Sequence, residues 1–537
     1  MPLTDIAYEA MKSVVGEDYV SRDPEVCKAY SRGGFGQDLY DVGRLDAACV
    51  VLPGNTEEVQ AIIKLANRYQ FPYIPASTRF IAFCSPVVPD TVMVHLKRMD
   101  RLQIDAQNQV AIVEPYVIYS QLQIEAMKLG LYTCPTLAGA QISVLANHLT
   151  FGMGPLSYRA SYAIRRILAL EWVLPNGELL RTGSWSNPSA DGFWGEGPGP
   201  DLRGLSRGYT GVLGGLGIVT RMAVKLFALP KPMVPEPCGI TPRTTFALDP
   251  KYVRWYNMGY KTPRESVEGI YKICQAEVCC AVMRVPTMWR ALRKAVSKEE
   301  FWQLYERDKE KWEKTKPNIV RMGIIGFTSP KQTEYEERVL QDLAQETGGT
   351  LARVPDTGAA DTFQPSYANC AFRPGNYFTS EKLGFDSIDH GLIDLVEGMK
   401  VKRKYYPVLV DDAEEAGWIL EFDFGHQAHC EMTSFHDSTP EAMAQVFRHE
   451  FDSVSQDMKI GAYTGFQYGP NHDFTGPYMG GYQKWLKKIK LALDKNNLSN
   501  PGRFVPLDPS RETPDSYYHQ MKRLWEKDRK GKKARKR

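Results

Sequence analysis

Short apolar runs bounded by turn residues alternate along this chain with stretches of helical period, which predicts strands and helices in mixed order. Residues 47–53, AACVVLP, predict a strand entering Gly54-Asn55-Thr56. Thr56 is placed to cap the next helix, and Glu57 and Glu58 fall in its first turn, where acids are favoured. That helix is predicted to reach about Tyr69 and to be followed by a strand at Tyr73-Ile74-Pro75. Strands at 91–96 and 109–113 and a helix at 119–129 complete a β-α-β order. Residues 168–174 and 178–182 predict two strands meeting across Asn176-Gly177, a pair that reaches positive φ cheaply and closes a tight hairpin. Past a Gly/Pro-rich loop, Gly214, Gly215 and Gly217 precede Ile218-Val219-Thr220 and a further strand. These glycines either crowd a turn or leave the backbone bare for a flat or anionic ligand.

After Pro230 the pattern changes. Residues 230–250 are Pro-rich, charged amphipathic helices are predicted at 286–316 and 334–347, strands at 319–327 and 418–423, and a helix at 440–458. The chain thus divides into a helical lead-in at 1–42, regions at 43–230 and 231–460, a segment at 461–510 and a basic tail at 511–537.

A length of 537 residues with 43% hydrophobic side chains suits two or three domains with buried cores. Sixty-six basic against 63 acidic residues give a net charge of +3, so no overall electrostatic case for nucleic acid arises. The ten cysteines are scattered, and Cys274, Cys279 and Cys280 lack the paired spacing of a zinc or iron–sulfur motif. No metal is assigned, and free thiols fit a reducing compartment. Acids interrupt the apolar positions of the N-terminal segment, unlike a signal peptide, and no apolar run is long enough to predict a membrane span. A cytoplasmic protein is expected. The tail from Met521, MKRLWEKDRKGKKARKR, is expected to be mobile: a solvated end, or an arm for an acidic partner subunit or a membrane surface.

The order E-x-V-L-P-N-G-E-x-x-R-T-G, then G-P-x-L-x-G-L, then G-x-L-G-x-x-T resembles the FAD domain of the vanillyl-alcohol oxidase and p-cresol methylhydroxylase (PCMH) flavoproteins. That family includes glycolate oxidase and D-lactate dehydrogenase flavoprotein subunits. Residues 51–77, 113–123, 143–154 and 485–507 extend the resemblance. It implies an α+β fold: a PCMH-type FAD-binding domain of two α/β subdomains at 43–230, an α+β cap over the substrate at 231–460, and a C-terminal return to the flavin domain. It also implies FAD, hydride transfer from a small phenolic, alcohol or hydroxy-acid substrate, and a homo- or hetero-oligomer with an electron-accepting or paralogous subunit.

In the family a glycine-rich loop after the Pro75 strand wraps the FAD diphosphate, yet residues 75–90, PASTRFIAFCSPVVPD, contain no glycine. Two readings follow. Pro75, Ala76, Ser77, Thr78 and Arg79 grip the diphosphate with hydroxyls and a guanidinium in place of bare amides; or the chain is a flavin-free, noncatalytic subunit that keeps the fold for assembly. The resemblance further places Ser143, Asn147 and Gly152 along the flavin, with His148 beside them as a contact or a satisfied buried histidine. Gly214, Gly217, Ile218, Val219 and Arg503 complete the cofactor set. Relatives place an acid near flavin N5 shortly after residue 154, but SYRASYAI offers none.

Histidines gather late, His426, His429 and His436 with Glu431 and Asp437. On a strand an i,i+3 histidine pair points opposite ways, which favours a substrate pocket over a joint metal site. Residues 462–485 add Tyr463, Tyr468 and His472 in a Gly-rich loop. The expected catalytic set is His472, Tyr463, Tyr468 and His436, with His472 or Tyr463 accepting the substrate proton.

Overall fold

A computed structural model describes residues 3–31, 42–79, 85–137, 139–150, 152–187, 199–208, 210–230, 237–238, 245–246, 248–286, 288–295, 297–314, 318–354, 363, 377–410, 417–437, 439–462 and 469–535. Three short strands, Cys49–Val51, Val92–His95 and Tyr73–Ala76, pair in parallel, and Val20–Ser21 adds an antiparallel edge. Every residue of the first two is buried, the continuous apolar pattern of a strand covered on both faces. The helix Thr56–Tyr69 lays Val59, Ile62, Ile63 and Ala66 against this sheet. Its cap is Asn55 rather than Thr56: Asn55 Oδ1 accepts from the Glu58 amide at 2.8 Å, and Glu58 Oε2 accepts from the Gly54 amide at 2.8 Å. Thr56 is instead buried and donates its hydroxyl to Glu171 at 2.8 Å.

A second, antiparallel sheet runs in the order Leu102–Asp105, Val110–Val113, Ile218–Lys225, Ile167–Val173, Leu179–Arg181. The expected hairpin forms, but only Gly177 has positive φ, +84°. Gly177 donates to the Leu174 carbonyl and Leu174 to that of Glu178, both at 2.8 Å. The connection is therefore a turn over Pro175-Asn176 closed by one left-handed glycine, because proline holds its own φ negative. Strand Leu102–Asp105 was not predicted; half of its residues are exposed, and no apolar run marks it.

Residues beyond 250 build an antiparallel sheet ordered Thr350–Val354, Val253–Tyr260, Asn318–Ile325, Ala281–Val285, Trp418–Phe422, Gln427–His436, Tyr377–Asp386. Helices Pro263–Gln275, Pro330–Thr347 and Ile388–Lys402 cover one face. The other face meets the first region, where Met283, Trp418, Leu420 and Phe422 pack on Met153 and Tyr162. The helix expected at 286–316 is two, Trp289–Lys294 and Lys298–Lys314, because Ala295 turns extended at φ −67°, ψ 144°.

The tail departs most from expectation. Residues Tyr517–Arg535 form a helix whose Tyr517, Met521 and Trp525 are buried on Val446, Phe447, Phe451 and Val454 of the helix Pro440–Ile460. An i,i+4,i+8 apolar stripe inside a basic sequence thus anchors its first turns.

Glu421, within strand Trp418–Phe422, is fully buried, and neither carboxylate oxygen has a hydrogen-bond partner among the described residues. Burial raises its pKa well above the usual 4.5, so the fold favours the neutral form over the ionised one relative to the unfolded chain. A raised folded-state value contributes stability fully below pH 4.5, and that contribution is lost as the pH rises toward the folded value. Glu421→Gln, uncharged throughout, is expected to melt higher than the parent at neutral pH and to lose the advantage below pH 4.5. Thermal melts across pH check this; a difference independent of pH would show Glu421 ionised in the fold.

Candidate cofactor site

The ends of the first two sheets and the residues that follow them enclose a cleft of about 1100 Å³, counted out to its open mouth. Pro75, Ala76, Ser77, Thr78 and Arg79 form one wall, Ser143 and Asn147 a second, and Gly214, Gly217, Ile218 and Val219 a third. Residues far apart in sequence thus converge on one space. Leu96, Pro115 and Trp172 also line it and were not expected. Leu96 just follows a strand, Trp172 pairs with Val219, and only the strand order brings them to the cleft.

Arg79 has a left-handed backbone, φ +53°, and its Nε and Nη2 are buried without a hydrogen-bond partner among the described residues. An orphaned guanidinium in a cleft wall is costly alone and fits an anionic ligand. The Thr78 hydroxyl accepts from the Ser143 amide at 3.1 Å, which ties two walls together. Ser143 is already committed: its hydroxyl donates to the Pro115 carbonyl at 2.6 Å and accepts from Ala146 at 3.1 Å. Asn147 Oδ1 accepts from the buried Tyr119 hydroxyl at 3.0 Å, which fixes the side chain at the cleft wall.

The glycines of the third wall are required by packing. A Cβ on Gly214, φ +73°, would lie 2.3 Å from Pro75 Cγ, and one on Gly217, φ +100°, 2.2 Å from the Val173 carbonyl oxygen. Close approach to the neighbouring strands shapes the turn.

Three expected cofactor residues do not line the cleft. His148 is fully buried, with Nδ1 2.8 Å from the Val144 carbonyl and 3.2 Å from the Tyr119 hydroxyl; burial holds its pKa well below the usual value, hence neutral. Gly152 is packed: a Cβ there would meet Asn147 Oδ1 at 2.4 Å. Arg503 donates Nε and Nη2 to the Ser85 carbonyl at 3.0 and 2.7 Å, bracing the far end of the segment that follows Arg79.

The C-terminal segment holds the third wall. Asp494 Oδ1 and Oδ2 accept from the Leu498 and Ser499 amides at 3.0 and 2.9 Å. Buried Lys490 donates to Asp494 at 2.5 Å and to the Gly215 and Ser499 carbonyls at 2.6 Å. The Ser499 hydroxyl donates to the Gly214 carbonyl at 2.7 Å and accepts from the Gly217 amide at 2.9 Å. Asn500 and Tyr73 bind the same segment to the first sheet: Asn500 N donates to Tyr73 O at 2.7 Å and Tyr73 N to Leu498 O at 2.8 Å.

Of the expected catalytic residues, Tyr463 and Tyr468 lie outside the described residues. His472 is buried beside Asp473 and Lys487 and does not line the cleft. Burial pushes its pKa down to about 4, which makes it a poor proton acceptor at neutral pH. His436 alternates with Phe435 on strand Gln427–His436 and so shares the helix-covered face with Cys430 and Met432. Its Nδ1 lies 2.9 Å from the Asp437 carbonyl, and burial lowers its pKa. His429 falls on the other face, paired with Leu420 and 5.2 Å in ring centroid from Trp418, with Nε2 3.3 Å from Glu431 Oε2. Among the described residues no three His, Cys, Asp or Glu converge as metal ligands.

A family model described as "FAD binding domain" matches residues 47–183. Glycolate oxidase subunit GlcD of Bacillus subtilis is 25% identical over 486 residues, 86% of this chain and 89% of that protein. The 1'-carboxy-chondrochloren decarboxylase of Chondromyces crocatus is 32% identical over 42% of this chain and 41% of its own. Among solved structures, substrate-bound p-cresol methylhydroxylase superposes with a TM-score of 0.74 at 18% identity, covering 93% of this chain and 96% of that one. A 4-ethylphenol oxidase from Gulosibacter chungangensis gives 0.72 at 18% identity, covering 94% and 97%. The fold is the PCMH-type flavoprotein fold, residues 47–183 match an FAD binding domain, and the chain is similar over most of its length to a glycolate oxidase subunit. FAD is its cofactor, and the orphaned Arg79 in a cleft walled on three sides fits that anionic, flat ligand.

Arg79→Ala removes the cleft's charge-assisted donor and is expected to weaken FAD binding by about 1.5–3 kcal/mol, roughly ten- to a hundredfold. Flavin fluorescence on titration measures it, and undiminished affinity would place the diphosphate elsewhere.

Proposed function

We propose that the protein is an FAD-dependent oxidase or dehydrogenase acting on a small phenolic, alcohol or hydroxy-acid substrate, with His429 as the group that accepts the substrate proton. The observation that carries this reading is the Glu431 carboxylate 3.3 Å from Nε2 of His429, which is as buried as His472 and His436 but lies on the sheet face that carries Trp418 and Leu420. Bound FAD supplies a hydride acceptor.

The chain's own residues supply the rest. Trp418, Phe422 and Tyr162, with Met283 and Met153, pack against one another as a buried aromatic and thioether surface between the large sheet and the flavin region. His429 stands beside Trp418, and Glu431 Oε2, 3.3 Å from its Nε2, orients the imidazole. Seating the surface depends on the contacts around Asp423, which accepts from Ser161 at 3.1 Å and from Arg165, while Arg165 also donates to Gln427 at 2.8 Å. Relatives named glycolate oxidase and D-lactate dehydrogenase support the hydroxy-acid side of the reading, and a neighbour named 4-ethylphenol oxidase the phenolic side.

His429→Ala is expected to slow substrate reduction of the flavin by about 10²–10⁴-fold while FAD stays bound, the usual loss for a general base. Bleaching of the flavin band in stopped flow, with 2-hydroxy acids and para-alkyl phenols, reads the rate. Equal rates in variant and parent would remove His429 from the reaction. A purified protein that takes up no FAD would favour the noncatalytic-subunit reading instead.

A further inference from the structure

We propose that the outer face of the helix Tyr482–Leu493, together with the turn before it, docks the protein on an anionic lipid surface. The inner face of this helix is used: Leu486, Ile489 and Leu493 pack on the core of the flavin region and Lys490 is buried. The outer face presents Trp485 and Tyr482, each 61% exposed, flanked by Tyr478 at 65% and Leu491 at 52%. Lys484, Lys488 and Lys495 are exposed around them, and Lys488 Nζ sits 4.4 Å over the Trp485 ring.

No exposed acid answers these lysines locally. Between residues 471 and 500 the acids are Asp473 and Asp494. Asp473 is taken by Lys487 at 2.6 Å and the Tyr518 hydroxyl at 3.3 Å, and Asp494 is buried with Lys490. Asp473 and Phe474, stacked against Trp525, also bring the helix Tyr517–Arg535 alongside. That helix adds exposed Lys522, Lys527, Arg529 and Lys530 against Glu526 and Asp528, and the sequence ends GKKARKR.

The composition selects the occupant. The centre of a protein–protein interface is depleted in lysine, whereas every rim of this aromatic patch carries one. A second copy related by a two-fold axis would set lysine against lysine with no acid between them. Tryptophan and tyrosine rings settle at the headgroup level of a bilayer, and lysines beside them pair with anionic headgroups. None of the described helices is long and apolar enough to cross a membrane, so the attachment is to the surface.

The test is co-sedimentation with phosphatidylcholine vesicles, with and without phosphatidylserine. It uses the FAD-loaded parent and two exposed double variants, Tyr482→Ser/Trp485→Ser and Lys484→Glu/Lys488→Glu. Thermal melts and the flavin spectrum confirm that each variant keeps its fold. The expected result is binding to the phosphatidylserine vesicles alone, weakened by about tenfold or more in each variant and by added salt. Absence of binding, or binding unchanged in both variants, overturns the proposal. So does a dimer in light scattering that the Trp485→Ser change dissolves, or retention of polyglutamate without vesicle binding. These results assign the face to a second copy or to an acidic protein.

Discussion

The flavin cleft depends on a buried ion pair near the end of the chain. Lys490 and Asp494, 2.5 Å apart and almost wholly out of water, gain little from their attraction once desolvation is counted. Their value lies in what they hold. All three ammonium hydrogens are used, on Asp494, Gly215 and Ser499, and both carboxylate oxygens receive backbone amides. Burial lowers the lysine's pKa and Asp494 opposes that fall. Removing either partner strands the other, a loss of about 3–5 kcal/mol in a buried pair. Through Ser499 the pair fixes Gly214 and Gly217, and through Asn500 and Tyr73 it fixes the strand Tyr73–Ala76 that leads to Arg79. Two of the three walls therefore take their spacing from one helix turn.

The second constraint is the seat of the large sheet. Apart from an irregularity between Glu381 and Gly384 its strands alternate, so residues fall either on the helix-covered core or on the face that meets the flavin region. Glu421 and His436 fall on the first, Trp418 and His429 on the second. A one-residue slip would exchange them. The pairing of Leu420 with His429 is thus a chemical as well as a structural statement.

What could be read from the sequence was local. The helix Thr56–Tyr69, the strands around Pro175 and the three stretches that wall the cleft are each contiguous, and their turn residues and periodicity mark them. The capping residue was misread by one position because Asn55 and Thr56 are both good caps, and only the demand of buried Glu171 for a hydroxyl separates them. Contacts across hundreds of residues left no local mark. Lys490 meets Gly215 over a separation of 275, and in sequence it is one more lysine in a basic helix. The tail misled in the same way, since its charges outnumber the three apolar residues that dock it. His148, Gly152 and Arg503 carry the right motif, but their side chains or missing Cβ brace the walls from behind.

The claim that the C-terminal return sets the flavin cleft is tested most directly by the FAD affinity of Ser499→Ala. The change deletes one hydroxyl, which touches both glycines of the third wall and does not itself line the cleft. The account predicts a folded protein, with an unchanged far-ultraviolet spectrum, that binds FAD about tenfold more weakly as the two hydrogen bonds to the turn are lost. Parental affinity in that variant would show that the turn holds its shape without the C-terminal segment, and would contradict the account.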